Sequence, residues 1–548
     1  MDRRKFLQGV LAAGALTKVG RGAQSRLTQQ GNASAIARQV VPTVFTLSKP
    51  GQSEQDMVDA LIAQAKSLGA TYCDVRLVRV LSQSVSARDQ VVSGLSDSET
   101  YGLGLRVIKN GTWGFSGTRN VDLASGKLAA QEAVSMAENN SKLQRIPLDL
   151  APVDPVQSEW KTPIVKNPFD VSFKDRAQFL LDMHALGASV PLSGAMLTLY
   201  SSLRCVREEK YFASSDGSKI WQEITRMDPS TWATVADSAK GEFASRALFV
   251  LPQGRGFEYI EQYPYKDEIK QAAAEAHEKI SAIPVEQGKY DLILHPTHLW
   301  LTIHESIGHP TELDRIMGYE ADFAGTSFLK PDTWKNYSYG SDLMNIVADR
   351  TQEGALATVG FDDDGVAAQS YPLITEGELV ATQTTREQAK MIGDKASHGQ
   401  SYAEGWWAIP FQRMPNVSLQ PNPKKKSLDD IIKDTGKGIL IKGNSSYSID
   451  QQRYNFQFSG QVSYAVEDGK VTHMLRDVAY YGKTEKFWNS LDALGDKSEY
   501  MLGGAMYDGK GEPEQSNPVS HGCPCARFSS QRVINTRQQS ANRKGGMV

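Results

Sequence analysis

Two histidines and a glutamate stand together in the stretch Leu299-Trp300-Leu301-Thr302-Ile303-His304-Glu305-Ser306-Ile307-Gly308-His309-Pro310. Imidazole nitrogens bind zinc at roughly 2.0–2.1 Å, and a hydrolytic zinc site needs three protein ligands plus an open position for water. Zinc lowers the pKa of that water toward about 7, and a carboxylate beside it takes the proton. His304 and His309 are therefore candidate ligands, and Glu305 is the candidate general base. The spacing departs from the common H-E-x-x-H pattern, whose histidines share one helical face. Here they are one residue further apart, and at about 100° per residue a regular helix would turn them roughly 140° from each other. A π-bulge, one extra residue in the turn, would restore a common face. Gly308 and Pro310 flank His309, which suits such a distortion or a helix end. On these residues alone, a metal site and a chance grouping both stay open.

The surrounding residues narrow the choice. His304 to His309 are followed by Glu312, Asp314 and Gly325-Thr326, then Arg413-Met414-Pro415-Asn416 and the run Gly460–Lys470. Gly509-Lys510, Gln515-Ser516, Pro518-Val519 and Gly522-Cys523-Pro524 complete the set. Together they resemble the TldD/PmbA family of metallopeptidases, on its TldD side, strongly in the second half of the chain and weakly in the first. The resemblance implies one zinc ion per chain held by His304 and His309, with Glu305 activating the water. The family's third ligand is a cysteine directly before a Gly-Lys pair, and here Asp508 precedes Gly509-Lys510. A carboxylate oxygen binds zinc at about 2.0–2.2 Å, so Asp508 is a reasonable third ligand. It is harder than a thiolate and would admit other divalent metals. Cys523 is the thiol alternative and stays open here. Short or unfolded peptides held against a sheet edge are the implied substrates, and a homodimer or a heterodimer with a PmbA-like paralogue the implied assembly. A catalytically silent partner subunit or scaffold is the alternative, and a hydrolase of non-peptide amides a third reading.

Other polar residues receive plainer roles. His295 and His298 read as strand-end or packing residues, or as support for the ligands. His521 is packed or orients substrate. Glu312 and Asp314 are acceptors for histidine N–H groups or exposed charges, and Tyr507 is a candidate oxyanion donor.

The elements that must position these residues follow from hydrophobic period. Ser53 with Asp56 reads as a capping box for a helix in which Met57, Leu61, Ile62, Ala65 and Leu68 recur. Cys73, Val75 and Leu77 alternate with Asp74 and Arg76, and Leu103, Leu105 and Val107 run into the hairpin signal Asn110-Gly111. Helices are predicted near 122–139, 174–186 and 265–283, with Asp216-Gly217 a turn. Tyr290–Leu294 reads as a buried strand leading into the helix of the motif, and beyond Gly354 short strands separated by turns prevail. The expected fold is α+β in two domains: an N-terminal mixed helix and antiparallel-sheet domain over 52–286, and a C-terminal, mostly antiparallel, barrel-like domain over 287–535 that carries the motif. Residues 536–548 read as a polar tail.

The length of 548 residues calls for more than one core. Sixty Lys and Arg against 63 Asp and Glu leave a formal charge of -3, which gives no electrostatic case for nucleic acid or an anionic membrane. Four cysteines do not make a disulfide framework, and they read as buried thiols, with metal or redox work the lesser reading. Residues 1–51 read as signal and linker: Arg3-Arg4-Lys5-Phe6-Leu7 before the short apolar run Gly9–Leu16 resembles a twin-arginine export signal. Ala33-Ser34-Ala35 is a candidate cleavage site. The apolar run is too short for a mature span, so the expected location is periplasmic or otherwise extracytoplasmic.

Overall fold

A computed structural model describes residues 49–537. The twin-arginine segment, its cleavage site and the tail beyond residue 537 lie outside the described residues. Among those described, no helix is long and apolar enough to cross a membrane.

The first half is one mixed sheet with helices packed on it. Helix α1 (Gln52–Ser67) leads into β1 (Tyr72–Arg88), β2 (Val91–Lys109), β3 (Thr112–Thr118) and α2 (Leu123–Asn140). Then come β4 (Gln157–Lys161), α3 (Phe173–Ala188), β5 (Met196–Ser214), β6 (Lys219–Asp237), β7 (Glu242–Ala247) and α4 (Tyr265–Ser281). The strand order is β3-β2-β1-β5-β6-β4, with β7 also on β6, and all pairs but β4–β6 are antiparallel. Asn110 and Gly111 adopt φ of 54° and 70°, the type I′ geometry that matches strand twist, so β2 returns as β3. The start of α1 differs from expectation: Gly51 is its N-cap, and the Gly51 N–H donates to Glu54, while Asp56 accepts from Gln52. Val58, Leu61 and Ala65 pack against Val75, Leu77, Leu105 and Val107 as the apolar period requires.

The alternation in β1 has a different outcome. Asp74 and Arg76 point away from that core, yet both are buried, because residues 362–408 cover the second face of the sheet.

β8 (Gly288–Leu294) opens the second half and runs straight into α5 (Pro296–Ile303). A small sheet follows, made of β9 (Ile346–Asp349), β10 (Ser370–Thr375) and β11 (Asn416–Leu419) and edged by Glu378–Leu379. Further strands are β12 (Lys437–Ile449), β13 (Asn455–Glu467), β14 (Val478–Lys483), β15 (Met501–Lys510), β16 (Gln515–Cys523) and β17 (Ala526–Asn535). Strands β8, β12, β13, β14 and β17 pair in a closed ring, a five-stranded barrel in which only β8–β12 is parallel. Closure removes free sheet edges and encloses an apolar interior. Phe456, Phe458, Tyr480 and Phe528 share that core with Leu299 and Ile303 of α5, which fixes the helix against the barrel. The sheet systems change between Ser281 and Gly288, while contacts gather the chain from Lys49 onward into one compact unit. The architecture is mixed α and β with mostly antiparallel sheets.

Candidate metal centre

α5 ends in a single π turn over His304–Gly308, in which the His309 N–H donates to the His304 carbonyl. That i→i+5 bond takes up the extra residue of the motif, so the two imidazoles share a face, with ring centroids 4.5 Å apart. A π turn followed by Pro310 leaves carbonyls without their helical donors, and side chains supply them. Tyr339 Oη donates to Ser306 O at 2.5 Å, Thr311 Oγ1 to Ile307 O at 2.7 Å, and Gln383 Nε2 to Gly308 O at 2.6 Å.

The third residue comes from the two-stranded ribbon. Gly503 and Ala505 of β15 face α5; a Cβ on Gly503 would stand 2.2 Å from Trp300 Cγ, so only glycine lets the indole lie flat on the strand. Strict alternation would give the next place on this face to Tyr507. The register shifts there: Ala505 pairs with Val519 but Asp508 with Asn517, so Met506 and Tyr507 oppose the single residue Pro518, which has no N–H for a ladder. The bulge exchanges the faces and turns Asp508 toward the histidines. Asp508 Oδ1 lies 3.6 Å from His304 Nε2 and 3.5 Å from His309 Nε2, and the ligand atoms of the three residues all fall within 4.8 Å of one another. Ligand atoms around a tetrahedral ion at 2.0–2.1 Å are about 3.3 Å apart. The three residues therefore fit zinc with little rearrangement.

Hydrogen bonds select the tautomers that this requires. His309 Nδ1 meets Glu312 Oε2 at 2.9 Å, so it donates and leaves Nε2 to a metal. His521 Nδ1 lies 2.8 Å from the Val417 carbonyl and must donate to it; His521 Nε2 then accepts from His304 Nδ1 at 2.8 Å, leaving His304 Nε2 toward Asp508. Glu312 is the hub of this support. It also accepts from Arg315 Nε at 2.6 Å and from Lys510 Nζ at 3.0 Å, while Lys510 reaches Asp314 at 2.7 Å.

Burial and these neighbours set the protonation. Burial, with Arg315 and Arg453 adding to it, holds His309 well below the usual imidazole range. For His304 burial acts downward too, but contact with Asp508 outweighs it and raises the group. Burial would raise the Asp508 carboxyl, yet His309, His304 and Arg413 together hold it well below the carboxylate range. A cation at this point would compete with a proton for His304 Nε2.

Glu305 is buried on the same π turn, and its Oε2 accepts from Arg453 Nη1. Arg453 adopts φ 62°, uncommon for a non-glycine residue, in a turn that Asp450 holds by accepting the Tyr454 and Asn455 N–H groups. His304, Glu305, His309, Asp508, Tyr507 and Arg453 all line one open cavity of about 690 Å³.

The chain is similar to several known proteins. The profile of the PmbA/TldA metallopeptidase C-terminal domain matches residues 287–535, and that of PmbA/TldA metallopeptidase domain 1 matches residues 73–137. Two stretches of this chain are thus similar to domains of the PmbA/TldA metallopeptidases. A metalloprotease of Methanocaldococcus jannaschii is 26% identical over 83% of this chain and 95% of its own length. A zinc metalloprotease TldD homolog of Saccharolobus solfataricus is 21% identical over 86% of this chain and 98% of its own. The crystal structure of TldE from Thermococcus kodakarensis shares the fold, with a TM-score of 0.67 at 15% identity, covering 87% of this chain and all of that one.

The other candidate residues separate. His521 accepts from His304 and Glu312 from His309, whereas Asp314 pairs with Lys510. His295 caps α5, and His298 is spent between the Gly443 carbonyl and Tyr480 Oη at 2.9 Å each. Cys523 faces the start of α5, its thiol 3.8 Å from the Pro296 carbonyl. Eight residues of helix, about 12 Å, separate Pro296 from His304. All four cysteines are buried free thiols. Tyr507 is exposed, beneath the Arg204 guanidinium. Arg453 and Arg413 carry no local signal in the sequence for their roles. Lys510 does, since it follows the candidate ligand by two residues.

Proposed function

We propose that this chain is a zinc-dependent peptidase that hydrolyses short or unfolded peptides, with His304, His309 and Asp508 holding one ion and Glu305 acting as general base. The single observation behind this reading is the convergence of two imidazole Nε2 atoms and one carboxylate oxygen beside a buried glutamate in an open cavity. A bound divalent cation would supply Lewis acidity and lower the pKa of water toward about 7. The rest of the chemistry belongs to the chain. Glu305 takes the proton from the attacking water and returns it to the leaving amine. Arg453 holds the Glu305 carboxylate on the cavity side of the π turn. Glu312 and His521 keep both imidazoles in the ligating tautomer.

The cavity walls suit an extended main chain. One wall is Asn444–Ile449 of β12, the other Ala505–Gly509 of β15. β15 pairs only with β16, and β8 pairs with β12 only as far as Ile441, so among the described residues both strand edges lack a ladder partner at the cavity. A peptide can add to either edge as a strand. In this reading the chain is exported by its twin-arginine segment and works as a homodimer or with a PmbA-like paralogue.

The test is Glu305→Gln. Metal content should match the parent, while peptide turnover falls by about 10²–10⁴-fold. Parent-level turnover in that variant would exclude the mechanism.

A further inference from the structure

A second cavity, of about 380 Å³, adjoins the metal centre. It shares four wall residues with the larger cavity: Trp300, Asn444, Ala505 and Tyr507. Its volume is within the roughly 300–1,000 Å³ typical of small-ligand pockets. We propose that this cavity is a subsite for a bulky aromatic or aliphatic side chain of the peptide, near the scissile bond, with Trp232 and Phe249 setting the preference. The proposal rests on the peptidase reading above and names its substrate class.

Three observations carry it. The first is the continuity of the two cavities: they meet at Ala505–Tyr507, where the β15 ladder is interrupted, so a strand laid along β15 past Asp508 passes the opening. The second is the chemistry of the walls. Trp232, Phe249, Leu251, Trp300 and Met506 contribute rings and apolar chains, and no Lys or Arg lines the space. The one acidic wall residue, Asp228, already has Arg204 at 4.0 Å, and that guanidinium also lies over the Tyr507 ring at 4.8 Å. The cations behind the walls are already engaged, Arg204 with Asp228 and Arg246 with Glu268 and Glu275, so an acidic side chain would have to displace a carboxylate and a basic one would compete with Arg204.

The third is rigidity. The Arg246 guanidinium covers the Phe249 ring at 3.7 Å and is itself held by Glu268 and Glu275. Trp300 is fixed between Gly503 and the parallel His521 ring, 6.3 Å away. Pre-set aromatic walls give up little conformational freedom on binding, which favours selection among side chains. Trp232 and Tyr507, 42% and 58% exposed, would be covered by an incoming residue.

The experiment uses full-length, metal-loaded Glu305→Gln, so that peptides bind without turnover. Peptides that differ only by Phe or Gly, scanned position by position, are titrated calorimetrically. At one position Phe should tighten binding about ten- to a hundredfold, as burying such a side chain implies. Phe249→Ala and, separately, Ser230→Trp, which fills the cavity from a half-exposed wall position, should shrink that preference to about threefold or less. Affinity for the Gly peptide should stay unchanged. Phe and Gly peptides that bind alike at every position, or a preference that survives both substitutions, would overturn the subsite. Turnover by the parent enzyme separates the two readings. Hydrolysis without aromatic preference sinks the subsite alone; aromatic-selective binding with no hydrolysis of any peptide keeps the subsite and sinks the peptidase.

Discussion

Two groups of charged side chains are buried in this protein, and they differ in what answers the negative charge. Where residues 362–408 cover the first sheet, Arg106 joins Asp74 at 2.8 Å to Asp364 at 2.7 Å, Lys210 meets Asp363 at 3.0 Å, and Arg226 pairs with Glu208. Each of those carboxylates touches a cation of the chain. Around the π turn, Arg413 reaches only one oxygen of Asp508, at 3.2 Å, and the other faces two imidazole nitrogens whose partners make them lone-pair donors. The first group pairs anion with cation and joins the sheet to its cover. The second converges donors on a point, which is the arrangement that receives a cation. Buried charge alone therefore does not mark a site; what marks it is the direction of the lone pairs.

Substitutions can break this contrast, and the largest effect should come from the proposed ligands. Asp508→Ala should lower metal affinity by more than about a hundredfold, beyond the usual effect of losing a supporting residue, while Cys523→Ala keeps the parent's metal content. Metal analysis after dialysis reads both, and metal loss in Cys523→Ala alone would reverse the assignment. In the other cluster, Arg106→Leu leaves Asp74 and Asp364 buried without their cation. It should cost about 3–5 kcal/mol in chemical denaturation and leave metal affinity unchanged in protein that remains folded. His521→Phe removes the acceptor that orients His304 and should weaken metal binding about 10–100-fold, with little change in stability.

The smallest effect concerns pH. Burial lowers His298 to about 4. A histidine kept neutral when folded but free to charge near pH 6.5 when unfolded gives stability that is present above about pH 6.5 and is lost as pH falls toward 4. Between pH 7 and 5 the loss should be about 1–2 kcal/mol, and His298→Asn should flatten that slope in denaturation curves.

Local chemistry was legible wherever it acted over a few residues. The apolar period of α1, the Asn110-Gly111 turn and the strand before α5 all follow from neighbours in sequence. So does the choice between a distortion and a helix end, since histidines five residues apart cannot share a face of a regular helix; that it is a π turn came from the structure. Arg453 was not legible, because 148 residues separate it from Glu305 and only the fold of the turn at Asp450 brings them together. Asp74 and Arg76 were misleading for a related reason: alternation marks which residues leave one core and says nothing of whether a second layer covers them.

By itself, then, the sequence determined the types of group available at the site and that two of them could meet only by leaving a regular helix. Tertiary structure decided the third. Pro518, across the ribbon, denies β15 a ladder partner, the strand bulges, and Asp508 rather than Tyr507 turns inward, while Cys523 is left under the far end of the helix. Side-chain facing in a strand depends on parity, and one extra residue on one strand reverses it. That reversal is a property of the pair of strands, fixed only when they meet.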